Sequence, residues 1–149
     1  MKRFQYGRKA LVALAVLTMS FVGLSGSAQA TASGSVLLNT YGFKVGTKSY
    51  TFPGGYLRHS IEGPGYTAYS QIGSVTQAST ICYGRISFTE RGAGDVLLRS
   101  SSGTTVKGCL TVSQQRTRYN YTFSSSTRKA CTSFYLNEVY RDAACLAIY

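Results

Sequence analysis

Past residue 30, apolar and polar residues alternate in short runs separated by glycine-, proline- and serine-rich breaks. A period of two marks half-buried strands, because successive side chains leave a strand on opposite faces. The runs predict strands over Val36–Val45, Ser49–Phe52, Tyr56–Ile61, Thr67–Ile72, Ile81–Thr89, Val96–Ser100, Thr105–Val112, Tyr119–Phe123, Cys131–Leu136 and Tyr140–Ile148. Turn signals lie between most of them: "PGG", "EGPG", "RGAGD", "SSSG" and "SSST". The polar "SVTQAST" (Ser74–Thr80) is expected to be loop. No amphipathic helix of useful length, internal repeat or low-complexity tail is visible. The expected fold is all-β: a small, disulfide-stapled antiparallel sandwich or barrel. Abundant threonine, tyrosine and valine suit such pleated surfaces.

The first thirty residues read differently. Lys2, Arg3, Arg8 and Lys9 precede a mostly apolar run, Ala10 to Leu24, which ends in the small-residue stretch "SGSAQA". That order is expected of a secretory signal cleaved after Ala30. The apolar run is too short and too poorly flanked for a stable span. Residues 31–149 then form one domain with a modest core, no transmembrane segment and a secreted, extracellular location.

Charge narrows the partners. Four of the sixteen lysines and arginines lie within the first nine residues, so twelve remain against five acids after Ala30, a formal +7. A basic surface favours anionic partners: wall polymers, lipid headgroups, nucleic acid or acidic proteins. Only Arg116/Arg118 and Arg128/Lys129 form small groups, so no nucleic-acid stripe stands out.

Four cysteines follow Ala30: Cys82, Cys109, Cys131 and Cys145. An even number in a short secreted chain argues for two disulfides. A zinc site would want close cysteine pairs, and these are widely spaced. In the last predicted hairpin Cys131 and Cys145 share the face opposite Phe134, Leu136, Leu146 and Ile148. A three-residue loop at Asn137–Val139 sets Leu136 opposite Tyr140, and therefore Cys131 opposite Cys145. Cys82 then pairs with Cys109, whose parity requires a bulge near Gly108. Two other connectivities remain open.

Catalytic chemistry finds few carriers. His59 is the only histidine, and there is no Gly-x-Ser-x-Gly elbow. Of the five acids, Glu90 and Asp95 flank one turn, where charges are commonly only solvated; Glu138 and Asp142 flank another. Neither pair carries a glycosidase signature. Arg58 and His59, with Glu62, Tyr56 and Tyr66, are the best case for acid–base cleavage of RNA, as small secreted ribonucleases perform it. Alternation, however, puts Arg58 and His59 on opposite faces and His59 beside Ile61, as a partly buried structural histidine. No cofactor and no metal is implied.

Binding has more carriers. Tyrosine offers a large contact area with a polar tip. Tyr56, Arg58, His59, Tyr66 and Tyr69, around the Gly/Pro bends of "TFPGGYLRHSIEGPGY", are candidate binding residues. A second candidate contact is the N-terminal segment, expected to be flexible over residues 31–40. Its Val36, Leu37, Leu38, with Tyr41 and Phe43 beyond it, can add to a partner's sheet or groove, or form a first strand of the chain's own sheet.

The signal, "FPGGYLRHSIEGPG", "ICYGRISF", "VKGCLTV" and the closing "KACTSFYLN" with a last cysteine resemble small secreted streptomycete proteins. Within that group the layout is similar to the adaptor subunits of umbrella toxin particles. The resemblance covers most of Ser49 to Cys145 and implies a non-catalytic role: bridging a large toxin polypeptide to a lectin-like subunit in an extracellular antibacterial complex. A secreted, ribonuclease-like hydrolase and a cell-wall or glycan binder are the alternatives.

Overall fold

The computed structural model describes residues 31–109 and 113–149. The expected signal, and Leu110–Val112 at the end of one predicted strand, lie outside them. The described chain is all-β. Its strands are β1 (Thr31–Leu38), β2 (Tyr41–Val45), β3 (Lys48–Phe52), β4 (Gly55–Glu62), β5 (Thr67–Thr76), β6 (Gly84–Arg91), β7 (Leu97–Ser102), β8 (Ser113–Thr122), β9 (Lys129–Leu136) and β10 (Val139–Ala147). A single 3-10 turn, Ala93–Asp95, precedes β7.

Two four-stranded antiparallel sheets, ordered β1-β4-β5-β8 and β10-β9-β6-β7, pack face to face as a sandwich. They approach closely at Gly73, where a Cβ would stand 2.4 Å from Thr132 Cγ2 and 3.1 Å from Ile86 Cγ2. The two-stranded ribbon β2-β3 closes one end. Its Phe52 ring lies 5.6 Å from Phe134, and Phe43 and Tyr50 stack at 5.5 Å with Tyr83 edge-on to both.

The interior falls into three layers. Leu38, Phe52, Leu57, Val75, Ile81, Ile86, Phe134, Leu136 and Ala144 form one apolar cluster. Ile61, Ala68, Phe123, Ala130 and Ile148 form another. Between them lie polar side chains that are just as buried, among them His59, Gln71 and Thr132. Full burial of each large aliphatic or phenyl side chain contributes roughly 1.5–3 kcal/mol.

Both disulfides join the expected partners, Cys82 to Cys109 and Cys131 to Cys145. The route to the second differs from the sequence reading. The hairpin turn has two residues, Asn137 and Glu138, both at positive φ, so Leu136 faces Val139 rather than Tyr140. A bulge between Tyr140 and Asp142 restores the missing residue and brings Cys131 opposite Cys145. At the first disulfide, Gly108 supplies the irregularity with φ +92°. Cys82 and Cys109 form an isolated bridge, and strand pairing begins at Gly84, not Ile81.

Other expectations are corrected. The N-terminal segment is not a flexible arm: every residue of β1 pairs with β4, from Thr31 opposite Glu62 to Leu38 opposite Gly55. The predicted strand Val36–Val45 is cut at Asn39–Thr40, where the chain leaves the sheet for the ribbon. Ser74, Val75 and Thr76 extend β5 rather than lying in loop, because Val75 completes the first cluster. "TFPGGYLRHSIEGPGY" is one strand between two bends, with Gly54 and Gly63 at positive φ and tight against backbone oxygens of Leu38 and Thr67.

Candidate functional site

The candidate site lies where β7 and β8, the edge strands of the two sheets, face each other. Arg116 of β8 spans the gap: Nη1 donates to the carbonyls of Ser101 and, at 3.3 Å, Ile86, and Nη2 donates to Ser101 Oγ at 2.9 Å. Beside this pillar is a cleft of about 400 Å³ lined by Phe88, Glu90, Arg99, Ser100, Ser101, Arg118 and Tyr121.

A chain of hydrogen bonds runs into the cleft from the polar layer. His59 Nδ1 lies 3.2 Å from the Ala144 carbonyl and donates to it. That fixes the tautomer, so Nε2 accepts from the Gln71 amide at 2.8 Å. Gln71 Oε1 in turn accepts from Arg118 Nε. The Arg118 guanidinium lies 3.3 Å from the Tyr121 ring centroid and 5.1 Å from that of Phe88. Tyr121 donates its hydroxyl to Glu90 Oε1. Glu90 Oε2 accepts from Thr127 Oγ1 at 2.8 Å and the Ser124 N–H at 3.2 Å. Strands β4, β5 and β6 each give one link and β8 gives two, so the network exists only once both sheets have assembled.

Burial sets the protonation states. His59 is 0 % exposed, and desolvation lowers its pKa from 6.5 to about 4, with the nearby Arg118 charge acting in the same direction and the Ala144 hydrogen bond opposing. Burial pushes the Glu90 carboxyl up, but the hydrogen bonds from Tyr121, Thr127 and Ser124 and the Arg99 charge together outweigh it and hold the group ionised, below its ordinary range. Burial lowers the pKa of Arg118.

The sequence candidates are spread over the fold. Arg58 and Glu62 stand on the outer face of the first sheet and His59 on the inner, so the acid–base set is not brought together. Tyr56 shares that outer face, and Tyr69 is exposed toward the opposite end of the β4–β5 pair. The Tyr66 hydroxyl accepts from Arg128 Nη1 at 2.9 Å while its ring packs against the second cluster. Of the N-terminal candidates only Leu37 is exposed. Leu38 is a core residue, and Val36, Tyr41 and Phe43 pack against the same cluster, with Tyr41 beneath the Arg141 guanidinium. Among the acids, Asp95 pairs with Lys129 at 3.1 Å and Glu138 with Arg85 at 2.9 Å.

Sequence reading missed Gln71, Glu90, Arg99, Arg118 and Tyr121. Glu90, expected to be solvated beside a turn, is 1 % exposed. Its parity with Ile86 and Phe88 was the available signal. Among the described residues no group of His, Cys, Asp and Glu is arranged to hold a metal ion, and no helix is long and apolar enough to cross a membrane. No protein-family model, curated protein or solved structure matches the chain.

Proposed function

We propose that this is a secreted, non-catalytic interaction module that bridges larger subunits of an extracellular antibacterial toxin complex. The observation that carries the reading is that each sheet presents its own set of exposed large apolar or tyrosine side chains. On the first sheet, Leu37 and Tyr56 stand exposed side by side at one end and Tyr119 at the far edge, with Ser35, Arg58, Ser74 and Thr117 on the face between them. On the second, Val96, Leu97 and Leu98 are exposed at and just before β7, an edge strand with free backbone groups. An adaptor needs two such surfaces that do not compete. Edge strands accept extended partner segments, and tyrosine-bearing faces accept folded ones.

The ribonuclease-like alternative draws on Glu90, Arg99, Arg118 and Tyr121, which resemble a general base with a phosphate clamp. Both Glu90 oxygens, however, already accept hydrogen bonds, and the one imidazole is sealed in the interior. Neither is placed to exchange a proton with a substrate.

Affinity purification of the tagged protein from culture fluid, with mass spectrometry, tests the reading. Two large polypeptides are expected, one lost with Tyr56→Glu and the other with Leu97→Lys. A lone monomer that cleaves RNA, or one retained only on wall material or glycan, contradicts it.

A further inference from the structure

We propose that the cleft between β7 and β8 binds a phosphoryl group, free or carried on an ester. The cleft shares strand β7 with the second bridging surface, but its argument rests on the arginines and does not need the bridging reading.

The positive charge exceeds what the cleft's one carboxylate, Glu90, can balance. Arg99 and Arg118 reach the cleft from opposite walls, and Arg116 stands beside them. None of the three forms a salt bridge among the described residues. The one acid present, Glu90, is satisfied by Tyr121, Thr127 and Ser124, so its oxygens do not occupy the guanidinium donors.

The donors are also positioned in advance. Gln71, itself held by His59, fixes Arg118 through Nε, and the Tyr121 ring fixes its plane. Arg118 Nη2 is buried and has no hydrogen-bond partner among the described residues, an arrangement that costs stability and that a bound acceptor would relieve. Arg116 is spent on Ser101 and Ile86 and sets the width of the gap. Arg99, exposed on the β7 wall, completes the clamp next to the hydroxyls of Ser100 and Ser101.

The geometry favours phosphate over carboxylate. A planar carboxylate is satisfied by one guanidinium fork from one side. Donors that converge from two facing strands suit a tetrahedral anion with several acceptor oxygens. A cleft of about 400 Å³ has room for more than the bare anion, so an ester-linked phosphate also fits.

Calorimetric titration of the purified full chain with inorganic phosphate, and separately with glycerol phosphate, tests the site. Saturable one-to-one binding of either supports it, and which of the two binds tells a free from an esterified source. Arg99→Gln and Arg118→Gln should each weaken that binding about tenfold or more, the scale of one charge-assisted hydrogen bond. Arg58→Gln, an equal loss of charge on the outer face of the first sheet, should leave it unchanged. If Arg118→Gln fails to fold, the exposed Arg99 still decides. No saturation with either probe overturns the proposal. So does equal weakening by Arg58→Gln and Arg99→Gln, and so does binding of a glutamate-rich peptide in preference to both phosphates.

Discussion

Along the flank where β1 lies against β10, Gly34 faces Leu146, and a Cβ added there would come within 3.2 Å of the leucine. The Cys131–Cys145 disulfide ties β9 to β10 on this side, and the sheets close over apolar side chains. Along the flank where β7 faces β8, arginines stand between the same two sheets. Arg116 holds the edges through backbone carbonyls, while Arg118 lays its guanidinium on aromatic rings. Apolar contact seals a flank because nothing on it needs water. An arginine buries its stem and ring-stacked face but keeps donors that call for a partner, so the same sandwich remains open where arginines replace leucines. Stability should therefore concentrate on the first flank and binding on the second.

Stability measurements can break that contrast. Phe134→Ala, in the cluster that the sealed flank and the ribbon share, should cost the most, about 3–5 kcal/mol in urea unfolding. Deleting Thr31 to Thr40 removes β1 and the buried Leu38, so the truncated chain should unfold at markedly lower urea than the full domain. Replacing Cys131 and Cys145 together by alanine should cost about 3 kcal/mol, as expected for a loop closed over a sequence separation of 14.

Acid should act through the polar layer. The folded pKa of His59, about 4, lies below the 6.5 of the unfolded chain, so between those values the unfolded state binds the extra proton. Stability is full above pH 6.5, falls as the pH drops, and has lost about 3 kcal/mol once the pH is below 4. Glu90, also held below its ordinary value, adds a loss of the same sign at lower pH. Urea midpoints across this range check it: a flat profile between pH 6.5 and 4 would mean that His59 is not desolvated. The smallest effect belongs to the open flank. Arg99→Ala should change stability by no more than about 0.5 kcal/mol, since its side chain is exposed, even as it removes an anion donor.

The sealed flank was far more legible in the sequence than the open one. Alternation put His59 and Ile61 on one face, and with an expected three-residue turn it set Cys131 opposite Cys145, a pairing that holds although the turn and the bulge each depart from the expected register. The open flank breaks the rule of two. Ala68 and Gln71 are both buried although they lie three apart on β5, and Arg118 and Tyr121 both line the cleft from β8. A shared irregularity at Tyr69 and Asn120, the latter at φ +49°, inverts the alternation on both strands together. No local pattern announces such a kink, because it takes its meaning only from the pairing of β5 with β8. Likewise, Glu90 acquires its partners from residues 31 to 37 positions away along the chain.

His59 is where the two flanks meet, with one ring nitrogen on the Ala144 carbonyl of β10 and the other joined through Gln71 to Arg118. Titration of its ring protons by NMR tests most directly whether it is a sealed support for the cleft or an accessible base. A midpoint near 4, with the neutral Nδ1–H tautomer above it, is expected. A midpoint at or above 6.5, or a ring that exchanges freely with solvent, would contradict the sealed layer and return the histidine to the surface chemistry of a catalyst.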